Sequence, residues 1–230
     1  MSHPVHKNNA ELGLAVHAHL VSKGLETPIT DLVHAPADEK IAAIAPHFRA
    51  IMETLGLDTT DDSLEDTPNR VAKMYVNEIF WGLNYEKFPK CTTIDNKMDY
   101  KHSFVLERNV NVQSNCEHHF VVIDGFATVA YIPHAKVLGL SKLNRIVEFF
   151  AKRPQVQERL TEQICEAISF ITGTPDVAVY IDAQHYCVKS RGIQDTGSST
   201  VTLSTRGLFA EPESEVRREF LNIARLGTGK

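Results

Sequence analysis

The chain has 230 residues, enough for one substantial domain or a domain with a helical extension. With 43% hydrophobic and 23% charged residues it is globular rather than disordered, and a formal charge of −5 argues against a dedicated nucleic-acid or membrane-surface binder, since both usually need a basic excess. Met1 to Gly24 lacks a charged-then-apolar leader pattern, and no run nears the ~20 apolar residues of a membrane span, so a cytoplasmic protein that binds neither nucleic acid nor membrane is expected.

The first ninety residues read as an N-terminal helical region, residues 1–90. Over 38–57, Ile41, Ile44, Phe48, Ile51, Met52 and Leu55 recur at helical spacing, with Gly56 as the stop. Thr67-Pro68 opens a second helix, with Thr67 as N-cap and Pro68 at the first helical position. Its apolar side carries Val71, Met74, Tyr75 and Ile79, and Pro89 closes the region.

From about residue 91 the period changes, and residues 91–230 form the second unit. Segments 103–113 and 120–132 alternate and are rich in β-branched and aromatic residues, and Asp124-Gly125 predicts a bulge or bend. Ser141 begins a helix that runs to Lys152, Arg153-Pro154 breaks it, and 155–171 resumes. Strands are expected at 177–188 and near 199–205, then a polar C-terminal helix. With few connections long enough to cross over, the fold class is α+β: an antiparallel sheet with helices on one face.

Four cysteines are too few for a disulfide scaffold of this size, and those beside histidines read better as metal ligands. Residues 116–119 read Cys-Glu-His-His, so Cys116 and His119 can converge on one ion in a turn. His185-Tyr186-Cys187 lies in a strand-like run, where residues two apart share a face. Cys187 can then join Cys116 and His119, a set suited to Zn2+, with His185 beside it. A structural site would need a fourth protein ligand, from His118 or His185, and would leave the other idle. A three-ligand site with an open position uses both as proton donor and acceptor, and lowers the pKa of a bound water toward ~7. Cys165 reads as a packed core thiol and Cys91 as inert. Between the two motifs, Ser141 is expected to cap a helix that carries Lys142 and Arg145 one turn apart, a possible anion site. Lys189 and Arg191 add positive charge after Cys187, and Arg70 and Lys73 share one helix face.

The segments Ser114 to Phe120, Gly139 to Lys142, Arg153 to Thr161 and His185 to Gly192, with Thr67 to Tyr75, resemble GTP cyclohydrolase I in order and spacing from about Asp62 onward. The resemblance implies conversion of GTP and water to formate and 7,8-dihydroneopterin triphosphate, the first step of tetrahydrofolate biosynthesis. It places Cys116, His119 and Cys187 on the zinc positions, and His118 and His185 on the proton-transferring histidines. Ser141 falls on a hydroxyl that assists ribose opening. Glu158, with Gln157, falls on the guanine-binding carboxylate segment. Lys142, Arg145, Arg191, Arg70 and Lys73 fall on triphosphate contacts. It further implies a tunnelling-fold catalytic domain over 91–230, whose sheets join into a barrel in a homo-oligomer. A decamer with active sites between subunits is expected. Arg206 before Gly207 departs from the pattern. β-type carbonic anhydrases, zinc base deaminases and zinc peptidases need motifs that are absent here. A zinc-stabilised binding module of the same fold is the non-enzymatic alternative.

Overall fold

The backbone of the computed structural model is described here for residues 7–226; the ends of both expected regions, residues 1–6 and 227–230, lie outside the described residues. Helix α1 (Ala10–Ser22) starts where the Asn9 side chain accepts the backbone N–H of Leu12, at 3.1 Å. It buries Val16 and Leu20, and Gly13 lets its backbone pass the Tyr85 carbonyl, where any Cβ would collide. Helix α2 (Ala37–Thr54) stops as expected before Gly56. Gly56 adopts φ +88, and its N–H and that of Leu57 bond back to Glu53 and Met52, closing the end as a Schellman motif. Its apolar stripe is only half covered: Met52 and Ala45 are buried, while Ile51 and Leu55 face solvent.

Helix α3 (Thr67–Met74) begins one residue earlier than expected. Asp66 is the cap position and Thr67 is already helical, while the Asp66 carboxylate accepts from Asn69 and Arg70 rather than from the backbone. A π turn (Tyr75–Ile79) and two short 3-10 turns lead into the body.

The main sheet has five strands in the order β5-β2-β3-β6-β7: β2 (Val105–Cys116), β3 (Val122–Tyr131), β5 (Pro154–Gln155), β6 (Val177–His185) and β7 (Thr200–Thr205). The four long strands are antiparallel as expected, and β5 adds a two-residue parallel bridge at Asn115 and Cys116. A separate two-stranded antiparallel sheet pairs β1 (Thr93–Asp95) with β4 (Lys136–Leu138). The expected irregularity at Asp124-Gly125 lies elsewhere. The register slips between Glu107 and Val110, where Asn109 takes φ 56, whereas Gly125 stays in register. A Cβ on Gly125 would meet the Asp182 carbonyl and Ala183 of β6, so this glycine serves close strand approach rather than a bend.

Helices α4 (Leu140–Ala151) and α5 (Gln157–Thr172) cover one face through Leu143, Ile146, Leu160, Ile164 and Ile168. Val16, Leu20, Tyr85 and Phe88 belong to the same core, so α1 and the 81–88 segment pack directly on the sheet body. The expectation of helices on one face is corrected by α7 (Glu215–Leu226), which seats Phe220 and Ala224 on the opposite face against Ala130, Ala178 and Tyr180. Val177 to Ile181 is buried on both sides, and a continuous apolar run of that kind needs cover on both faces.

Arg153, fully buried at the α4–β5 break, donates to Tyr85 Oη (2.9 Å) and the Gly82 carbonyl and lies against the rings of Tyr85, Phe149 and Phe150. Hydrogen bonds and ring faces replace the carboxylate a buried guanidinium usually needs. Arg206 bridges Glu162 and Glu166, and Glu166 also meets His19, joining β7, α5 and α1.

Candidate metal centre and substrate site

Ile123 of β3 pairs with Ser114 on one side and His185 on the other. The two segments that carry the candidate ligands therefore emerge beside each other at one end of the sheet. Cys116 ends β2, and the chain turns immediately. The N–H groups of His119 and Phe120 bond to the Cys116 carbonyl, at 3.3 and 2.8 Å, and Cys116 N–H bonds to Val121 at 2.8 Å. Phe120 takes φ 54, a left-handed conformation uncommon for a bulky side chain. Its ring is held against Tyr75 and Phe80 of the N-terminal region.

Cys187 does not lie on a strand, as the alternation suggested. β6 ends at His185, and Tyr186–Lys189 forms a single helical turn, α6. The helical turn carries Cys187 toward Cys116, while the His185 ring bonds elsewhere. Ligand atoms of Cys116, His119 and Cys187 all lie within 4.8 Å of one another. Zinc bonds to sulfur and nitrogen span about 2.0–2.3 Å, so side-chain adjustment closes this set on one ion. Burial, and then the facing Cys116 thiol, push the Cys187 thiol pKa up. Two thiols in such proximity repel as anions, and a divalent cation between them removes that cost. The donor set fits zinc.

His185 is half-buried, and its Nε2 sits 2.8 Å from Gln157 Oε1. Burial lowers its pKa, opposed by the negative charge of Glu158. Glu158 is exposed in the first turn of α5, next to this imidazole. Gln157 is buried and already committed: its amide nitrogen faces the carbonyls of Ile181 and Thr200 and the Thr202 hydroxyl, at 3.3, 2.8 and 3.1 Å. Its side chain thus holds His185, a task that the sequence did not suggest. His118 is largely exposed, with Nδ1 3.7 Å from Cys116 Sγ.

Ser141 is exposed in the first turn of α4 but does not cap it. The cap position is Gly139, which has no side chain to do so, and Ser141 is left facing solvent. Lys142 and Arg145 follow on the same helix, and both act on the Cys91 thiol, which burial nevertheless raises to about 12. Cys165 is raised by burial to about 11, so both behave as packed thiols. Arg191, exposed, adds positive charge beside Cys187. Arg70 and Lys73 are exposed on α3, which packs on α2 and the π turn, and Arg70 is ion-paired to Asp66 at 3.2 Å. Missed by sequence reasoning were Arg159 and Glu117, which pair across 42 residues. Glu117 lies in the segment Ser114 to Phe120 and Arg159 in Arg153 to Thr161, but nothing in the sequence pairs them.

An α+β chain with a two-cysteine, one-histidine cluster and adjoining histidine and carboxylate groups has the makings of a metal-dependent hydrolase. A family model described as GTP cyclohydrolase I matches residues 44–225. The chain is 56% identical over 208 residues to a GTP cyclohydrolase 1 from Aeromonas salmonicida (strain A449), covering 90% of this chain and 94% of that one. It is 53% identical over 216 residues to one from Shewanella denitrificans (94% and 98% covered). It is 56% identical over 211 residues to one from Escherichia coli O139:H28 (91% and 94% covered). The chain belongs to the GTP cyclohydrolase I family and is an enzyme of that hydrolase family. Among the described residues no helix is long and apolar enough to cross a membrane.

Proposed function

We propose that this chain converts GTP and water to formate and 7,8-dihydroneopterin triphosphate, the first step of tetrahydrofolate biosynthesis, in the cytoplasm, with zinc held by Cys116, His119 and Cys187. The observation that carries the reading is the convergence of those three ligands beside His185 and Glu158. A bound zinc would supply Lewis acidity that makes water nucleophilic at neutral pH. The exposed Glu158 carboxylate accepts N1–H and the 2-amino group of guanine. Lys142, Arg145 and Arg191, with Arg70 and Lys73, bind the triphosphate; side-chain amide contact from Gln157 would require breaking its present bonds. His185, held by Gln157, delivers a proton at N7, which makes C8 electrophilic, and His118 works on the opposite proton. Two hydrolyses at C8 release it as formate, the Ser141 hydroxyl assists ribose opening, and condensation of the freed amine with the rearranged sugar carbonyl closes the pterin ring and returns one water.

Incubation with GTP followed by oxidation should give a fluorescent pterin. His185→Ala should keep its zinc and lose about 10²–10⁴ in turnover. Zinc lost along with activity would instead make the site a four-ligand structural one.

Residues 91–230 form the catalytic unit in this reading, and residues 1–90 the N-terminal helical region. Among the described residues β7 pairs only with β6, and β2 is bridged on its outer side only at Asn115 and Cys116. Such edges favour joining between subunits, so a closed homo-oligomer is expected by light scattering, and the family resemblance implies a decamer with active sites between subunits. A monomer active at high dilution would contradict it.

A further inference from the structure

Resting on the reading of Cys116 and His119 as metal ligands, we propose that Arg159 is a positioning residue: acting through Glu117, it locks the metal-binding turn to the start of α5. The turn needs such a lock. Among the described residues no hydrogen bond holds the exposed imidazole of His119, which meets the His118 ring edge-on, so its placement depends on the backbone of residues 116–120. That backbone includes the left-handed Phe120.

Glu117 stands between the ligand Cys116 and His118. Its Oε2 accepts Nη2 of Arg159, and its other oxygen lies 4.0 Å from His118 Nε2. Both partners are mostly buried, Arg159 18% and Glu117 28% exposed, so solvent competes weakly for the pair. Arg159 is itself fixed, because its Nε donates to Gln155 Oε1 at 3.2 Å. Gln155 is fully buried, and its amide nitrogen donates to the Phe150 carbonyl and Gln163 Oε1 at 2.9 and 2.8 Å. The Gln155 carbonyl accepts the Glu117 N–H at 3.0 Å. Glu117 is therefore gripped through backbone and side chain by one rigid anchor. Arg159 directly follows Gln157, which holds His185, and Glu158 on the first turn of α5. The clamp sets the spacing between the metal turn, the His185 ring and the Glu158 carboxylate.

The test is zinc affinity, measured by chelator competition on the metal-stripped full chain. Loss of a partner that orients a ligand segment costs about 10–100-fold in metal affinity, and that loss is expected for Arg159→Ala and for Glu117→Ala. The two together should lose little more than either alone, because both break the same Arg159–Glu117 contact. Arg159→Lys, which keeps the charge but not the two-point fork, should recover part of the affinity and guards against a misfolded alanine variant. Additive losses, or wild-type affinity in a folded Arg159→Ala protein, would overturn the clamp alone. Failure of the wild-type chain to take up zinc would overturn the metal reading and the clamp with it.

Discussion

Replacing Cys187 with serine is expected to leave the purified protein without stoichiometric zinc and to cut pterin formation from GTP by at least about 10³. In the proposed site Cys187 would supply one of three protein ligands and one of the two sulfurs. Structural zinc sites hold their ion with roughly 10–16 kcal/mol at neutral pH, so each protein ligand carries several kcal/mol. A serine hydroxyl stays protonated where a thiol yields to the metal, so the substitution removes a ligand rather than weakening one. The fold should survive, because Cys187 is only partly buried at the margin of the core, on a four-residue turn. Metal analysis after dialysis and a steady-state assay check both halves. Full zinc occupancy in a folded Cys187→Ser protein would remove this residue from the ligand set.

What could be read from the sequence divides along a physical line. Most local signals held: Gly56 ends α2, Arg153-Pro154 separates α4 from α5, and Cys-Glu-His-His forms a turn that presents two neighbouring candidate ligands, although the caps expected at Thr67 and Ser141 did not form. Signals that depend on distant partners did not. The run 177–188 reads as one strand, yet the chain turns helical after His185, and nothing in Tyr186 to Lys189 forbids a strand. Gly125 looks like a bend, but its reason is Ala183 on the adjacent strand. The cover of the second sheet face by Phe220 was missed because α7 reads as polar overall, although Val216, Phe220 and Ala224 recur at helical spacing. The site followed the same rule. Cys116, His119 and Cys187 were legible as residue types, whereas Gln157 on His185 and Arg159 on Glu117 are pairings set by tertiary structure. Glu158 was singled out through the family resemblance alone.

Glu158→Ala therefore tests the residue whose role rests least on spacing. The carboxylate is exposed at the start of α5, so the free chain spends none of its acceptor capacity on a buried partner. A guanine edge presents N1–H and the 2-amino group side by side, and a carboxylate can accept both. Each such charge-assisted bond contributes about 1.5–3 kcal/mol, so the pair contributes about 3–6 kcal/mol. At about 1.4 kcal/mol per factor of ten, kcat/KM for GTP should fall about 10²–10⁴-fold. Zinc should remain, because Glu158 is outside the ligand set. The charge also has a second effect. It raises the pKa of His185 against the lowering by burial, so its removal disfavours the imidazolium further and slows proton delivery. Glu158→Gln keeps one acceptor but loses the charge, and should fall between alanine and wild type. An exposed helix residue with no ligand to hold would give a stability change within about 0.5 kcal/mol and nearly normal turnover. Near-normal GTP turnover by a folded, zinc-loaded Glu158→Ala protein would end the assignment of guanine recognition to this carboxylate.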